Sequence, residues 1–132
     1  MSLKFLLDTN VCINYLNYPG SKVSRIIGST PLIKIAVCSV VKAELFYGSR
    51  KSKDPAKTLS TQLTFLENFE SLAFDDRSAS TYASIRADLA AKGTIIGPYD
   101  LQIAAIALAN DATHNTREFS RVSGLRLEDW EI

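Results

Sequence analysis

Gly97-Pro98-Tyr99-Asp100-Leu101-Gln102-Ile103-Ala104-Ala105-Ile106-Ala107-Leu108-Ala109 is the stretch on which the fold turns. Gly97-Pro98 breaks the chain, and proline is at home in the first turn of a helix. From Leu101 to Ala109 only Gln102 is polar, so the pattern predicts a helix buried nearly all round, at the centre of the core. Outward from it, Leu3 to Leu7 is an apolar run broken only by Lys4, and it stops at Asp8-Thr9-Asn10, residues that cap helices or make turns. That reads as strand, turn, helix. A β-branched run, Ile33 to Cys38, repeats the unit, with Ser39 placed to cap a helix carrying Val40, Val41, Glu44, Leu45 and Tyr47.

Pro55 precedes a further helix on which Leu59, Leu63 and Leu66 share a face with Phe69, and Ser71 to Phe74 reads as a third short strand. Arg77 to Lys92 has helical spacing at Tyr82, Ile85 and Leu89 and is followed by Gly93, a C-terminal cap. Asn110 to Asn115 reads as a brief polar link, after which Phe119, Val122, Leu125, Leu127 and Trp130 are scattered apolar anchors. Strands alternating with helices predict an α/β chain, because parallel strands need long crossovers and helices supply them. The expectation is one domain over residues 1–132: three layers, α/β/α, around a mostly parallel sheet of four or five short strands.

Composition narrows the function. The 132 residues are 46% hydrophobic and 22% charged, an ordinary globular balance that excludes disorder, collagen and coiled coil. Fifteen Lys+Arg against 14 Asp+Glu leave a net charge of +1, which argues against coating nucleic acid non-specifically and requires any such contact to be focused. Cys12 and Cys38 have no metal-type spacing and are too few for a disulfide scaffold, so a reducing cytoplasm is expected. The longest unbroken apolar run, Ile103 to Ala109, is far shorter than the roughly 20 residues of a membrane span, and the opening residues do not read as an export signal.

Three acids stand where an apolar segment gives way to a helix start: Asp8, Glu44 and Asp100. In a parallel sheet these junctions open on one edge, where ligands bind. Convergent carboxylates repel unless a cation neutralises them, and oxygen ligands suit a hard divalent ion. Capping accounts for Asp8 or Asp100 taken singly, at about 1 kcal/mol each. Glu44 fits that account less well, since it lies in a largely apolar turn where an unpaired carboxylate is costly.

Four ordered blocks carry a resemblance: Leu6-Leu7-Asp8-Thr9-Asn10; Ser39-Val40-Val41-Lys42-Ala43-Glu44-Leu45-Phe46-Tyr47-Gly48; Ile96 through Ala105; and Thr113-His114-Asn115-Thr116-Arg117-Glu118-Phe119. Together they resemble the PIN-domain ribonuclease toxins of the VapC group, through nearly the whole chain. The resemblance implies a PIN-like fold and an endoribonuclease dependent on Mg²⁺ or Mn²⁺. It implies Asp8, Glu44 and Asp100 as acidic ligands, and in-line hydrolysis leaving a 5′-phosphate and a 3′-hydroxyl. It implies a homodimer held inactive by a VapB-like antitoxin, DNA being bound only through that partner. Transfer RNA is among the candidate targets. At the fourth position, where many PIN domains carry Asp, this chain has Asn115, whose amide oxygen can still face a metal, and Glu118 three residues on can supply the missing charge. The family's apolar strand between Ala109 and Thr113 is expected to be absent or truncated.

Lesser candidates have plainer alternatives. Thr9, Asn10 and Ser39 can hold a water or a ligand carboxylate, or merely cap. Arg50 and Lys51 can meet RNA phosphates, or complement the dipole at a helix end. Arg86, one turn beyond Tyr82, can reach a phosphate or an acid, or stay solvated. His114 is expected in an exposed loop, Cys12 and Cys38 in the core, and Phe46, Tyr47, Tyr15 and Leu16 in an apolar groove or in the core. Two rival functions stand beside the nuclease. One is a catalytically weak PIN domain that only binds antitoxin or RNA. The other is a phospho-acceptor domain, which lacks here its acid pair and its strand-end lysine.

Overall fold

The computed structural model describes residues 4–94, 96–114 and 126–127. Within them the order is β1 (Lys4–Leu6), α1 (Thr9–Asn17), α2 (Lys22–Ser29), a 3-10 turn at Leu32–Lys34, β2 (Ile35–Cys38), α3 (Ser39–Arg50), α4 (Pro55–Leu66), β3 (Glu70–Leu72), α5 (Asp76–Ala91), α6 (Pro98–Ala109), β4 (Ala112–His114) and β5 (Arg126–Leu127). Every strand pairing is parallel and the sheet order is β3-β2-β1-β4-β5. Because crossovers between parallel strands are right-handed, the steps β1 to β2 to β3 place α1–α4 on one face, and the return to β4 places α5 and α6 on the other. The packing agrees: α1 meets α2 and α3, α3 meets α4, and α5 meets α6. The result is the expected three-layer α/β/α fold.

The core is centred where the apolar run predicted. Leu101 and Ile103 to Ala107 on α6 are buried on every side of that helix, against a sheet whose β2 is buried at all four positions. Leu6, Leu7, Val11, Val37 and Val41 are among the wholly buried residues around them. Gly93 takes φ +70° after α5, the left-handed conformation that ends a helix and that glycine adopts without a Cβ clash.

Several local expectations shift. Ile33 lies in the 3-10 turn and is 79% exposed, so the second strand begins at Ile35. Ser39 is the first residue of α3 rather than its cap, Cys38 holding the cap position without a side-chain bond. On α4 the buried side is Gln62, Phe65 and Leu66, while Leu63 is 47% exposed, because the helix is rotated to stack Phe65 on Tyr15 with ring centroids 4.6 Å apart. The third strand runs Glu70–Leu72 instead of Ser71 to Phe74. Helix α2, not anticipated, is capped by Ser21, whose hydroxyl accepts from the Ser24 N–H.

The largest correction concerns the 110–115 link. Asp111 takes φ 52°, a left-handed conformation Asp tolerates, and turns the chain into β4, which pairs Lys4↔Ala112, Phe5↔Thr113 and Leu6↔His114 with β1. The strand expected to be absent or truncated is therefore present, three residues long, between β1 and β5, and His114 lies in it rather than in a loop. Its composition hid it: a three-residue strand with one threonine and one histidine has no apolar signature.

Candidate active site

Strands β1, β2 and β3 lie on one side of the β1–β4 boundary and β5 on the other, so the strand order reverses there. At such a switch point the connections at the carboxyl ends diverge and leave a crevice. Asp8 stands at that edge, just beyond β1. It is the N-cap of α1, its Oδ1 accepting from the Val11 N–H at 2.8 Å, and it is only 6% exposed. From the next residue, Thr9 Oγ1 donates to Glu44 Oε1 at 3.0 Å, a bond between chain segments 35 residues apart. That bond ties the first turn of α1 to the second turn of α3. Asp100 lies in the first turn of α6, and its Oδ2 is 3.8 Å from where a Cβ on Gly97 would stand.

One cleft of about 890 Å³ collects these residues. Asp8, Thr9, Asn10, Ser39, Glu44, Lys51 and Asp100, all expected at the site, line it. One carboxylate thus both caps α1 and lines the cleft. Asn115 and Glu118 lie outside the described residues.

Two basic candidates lie outside the cleft lining. Arg50 ends α3 and does not line the cleft, and Arg86 Nη1 donates to its neighbour Tyr82 Oη at 3.3 Å beside a separate cavity between α5 and α6. Lys51 stays, its ammonium 4.5 Å from the ring centroid of Tyr47. The apolar quartet also divides. Phe46 and Tyr15 pack against the core and Leu16 lines a second cleft beside α4, but Tyr47 is 65% exposed at the acid cleft. Tyr99, not anticipated, lines the same cleft at 60% exposure. The signal was available: it adjoins Asp100 in the first turn of α6 and so reaches the same edge.

Cys12 and Cys38 are fully buried, as expected. Burial pushes the Cys38 thiol up to about 11 and the Cys12 thiol well above its ordinary value, so neither serves as a thiolate nucleophile at neutral pH. The chemistry left to the cleft is that of oxygen donors. Among the described residues no three His, Cys, Asp or Glu side chains stand together as a ready-made metal cage. A hydrated Mg²⁺ needs no such cage, because it keeps several waters, through which carboxylates set too far apart to ligate it together can still act on it. A cleft with three acids and one lysine fits that requirement and disfavours a soft metal.

Known proteins match this chain over nearly its full length. The family model described as PIN domain matches residues 5–125. The chain is 41% identical to the tRNA(fMet)-specific endonuclease VapC of Shigella flexneri, covering 97% of this chain and 98% of that one. Among solved structures it is similar to DNA-bound VapBC from Salmonella typhimurium, with a TM-score of 0.89 and 36% identity over 98% of this chain and 99% of that one. It is also similar to VapBC2 from Rickettsia felis bound to a promoter DNA fragment, with a TM-score of 0.87 and 34% identity over 97% and 99%. With the fold, the cleft and these relatives in agreement, the chain belongs to the PIN domain family, in its VapC ribonuclease group.

Proposed function

We propose that this protein is the endoribonuclease toxin of a toxin–antitoxin pair, acting on RNA in the cytoplasm as a homodimer and held inactive by a VapB-like antitoxin that carries the DNA binding. Asp8, Glu44 and Asp100 hold a Mg²⁺ or Mn²⁺ ion, with Asn115 and Glu118 completing the donor set. The observation that carries the reading is that three acids, one capping α1 and the others on α3 and α6, remote in sequence, line one cleft at the carboxyl edge of the sheet. No described helix is long and apolar enough to cross a membrane.

A divalent ion, when bound, supplies Lewis-acid stabilisation of charge developing on the phosphate and brings water into a usable pKa range. The chain's own residues prepare for it. The Val11 N–H fixes the Asp8 carboxylate, and the Thr9 hydroxyl fixes that of Glu44, so neither must be ordered when substrate arrives. Three acids also repel a polyanion, which leaves the cleft closed to RNA until their charge is offset. Lys51, the one cation lining the cleft among the described residues, meets phosphate on the α3 side. The products are a 5′-phosphate and a 3′-hydroxyl, and no side-chain nucleophile is needed.

The alternative of a catalytically weak binding module draws on Asn115 and on the shortened link after Ala109, and within that link the three-residue strand β4 is formed. The test is cleavage of total cellular RNA by purified, antitoxin-free protein with Mg²⁺ or Mn²⁺, with chelator, and by the Asp100→Asn variant. A few discrete products that vanish with chelator and in the variant are expected; no products from folded protein at any metal concentration would overturn the proposal. A second expectation concerns Thr9→Val, nearly the same shape without the donor. Cleavage should fall about tenfold and half-saturating Mg²⁺ should rise with the fold intact, as for other partners that orient a metal-binding carboxylate. Unchanged kinetics would show that the Thr9–Glu44 bond is only structural.

A further inference from the structure

The acid cleft poses a problem of affinity. Three of its lining side chains are carboxylates and one described side chain, Lys51, is a cation, so phosphate contacts alone supply little attraction for RNA. The same cleft carries two tyrosines whose rings are left largely in water, Tyr47 at 65% and Tyr99 at 60% exposed. They come from different layers of the fold, one on α3 three residues beyond Glu44, the other beside Asp100 on α6. Each is thus next to a carboxylate of the proposed reaction centre. The core does not require either ring, for both are absent from the packed cluster that takes in Phe46 and Tyr82.

We propose that Tyr47 and Tyr99 form a base-stacking platform that grips unpaired nucleotides beside the scissile phosphate, with Lys51 neutralising an adjacent phosphate. Base–aromatic stacking tolerates any sequence, because every base has a π-face, and it requires bases free of a duplex stack. Lys51 lies one helical turn beyond Tyr47 with its ammonium 4.5 Å from that ring's centroid, so a stacked base and a neutralised phosphate would be met by adjacent side chains. The tyrosines are specificity-determining residues: they select single-stranded RNA at the site the acids serve. This inference rests on the proposed nuclease reading and deepens it.

The test is fluorescence anisotropy at 4 °C with two labelled probes, in Ca²⁺ in place of Mg²⁺ so that the acids' charge is offset while the probes stay uncut. One is a single-stranded RNA of mixed sequence and the other a ribose-phosphate backbone of equal length carrying no bases. Tyr47→Leu and Tyr99→Leu are each expected to weaken binding of the base-bearing RNA about tenfold, to leave the abasic probe unchanged, and to be rescued by Tyr47→Phe and Tyr99→Phe. Tyr18→Leu, at an exposed ring away from the cleft, should change neither. Lys51→Gln should lower the salt slope of binding by about 0.7 on both probes. The platform is overturned if the leucine variants bind RNA like the parent, if they weaken both probes equally, or if they lose only their grip on a protein inhibitor. Cleavage of total RNA by the parent separates the two levels. A parent that cleaves while the leucine variants bind normally defeats the platform alone. A parent that does not cleave but binds bases through these rings defeats the nuclease reading and leaves the platform standing.

Discussion

An Asp8→Asn protein is expected to melt at or above the temperature of the parent in the absence of divalent ions, while its RNA cleavage falls by about 100-fold or more. The two halves of that expectation come from the two duties of one carboxylate. As the N-cap of α1, Asp8 needs only an oxygen that accepts from the Val11 N–H at 2.8 Å, and Asn caps about as well as Asp. As a member of a three-acid cleft it needs its charge, and removing that charge relieves repulsion in the metal-free state while weakening electrostatic stabilisation of the reacting phosphate. Asp8→Ala removes both functions and should additionally cost about 1 kcal/mol, seen as a melting temperature lower by about 4 °C. Thermal melts beside cleavage rates on the same RNA decide it. Full activity in the Asn variant would reduce Asp8 to a cap and sink the site.

Ile106→Ala is expected to cost about 2–5 kcal/mol and to lower the melting temperature by roughly 10 °C, a large part of the 5–15 kcal/mol typical of a domain. Ile106 is wholly buried on a helix that is itself buried on every side, so its cavity has rigid walls and little means to collapse. The same helix carries Asp100 at its exposed end. The variant should therefore keep measurable cleavage well below its melting temperature, since the defect lies in the rod and not in the carboxylate. A loss under about 1 kcal/mol in chemical denaturation would mean that α6 is not the packed centre of the fold.

That helix also shows why much of the architecture was legible. An apolar run with a single polar interruption from Leu101 to Ala109 has one comfortable place, between the sheet and a second helix, and the structure puts it there. Asp8, Glu44 and Asp100 were legible for a related reason: each marks the passage from a buried segment to a helix start, and parallel strands bring such passages to one edge. What failed to show was whatever depends on contacts between distant segments. Leu63 reads as the more apolar choice, yet Gln62 is the buried one, its Nε2 donating to the Leu45 carbonyl at 3.0 Å across the α3–α4 contact. Strand β4 is specified by pairing with β1 and not by its own composition. Arg86 fits a phosphate contact as a residue type, but its helix directs it to Tyr82 and away from the acids. Tyr99 is legible only through its neighbour Asp100, beside which it reaches the same edge, whereas the exposure of its ring in the cleft is visible only in the structure.

Whether carboxylates from three separate parts of the chain act on one ion is tested most directly by Mn²⁺ binding measured by water-proton relaxation. The parent should bind Mn²⁺ at one class of site displaceable by Mg²⁺, and Asp8→Asn, Glu44→Gln and Asp100→Asn should each weaken that binding by tenfold or more while remaining folded. Undiminished binding in any of the three, or no Mn²⁺ bound by the folded parent, would contradict the account.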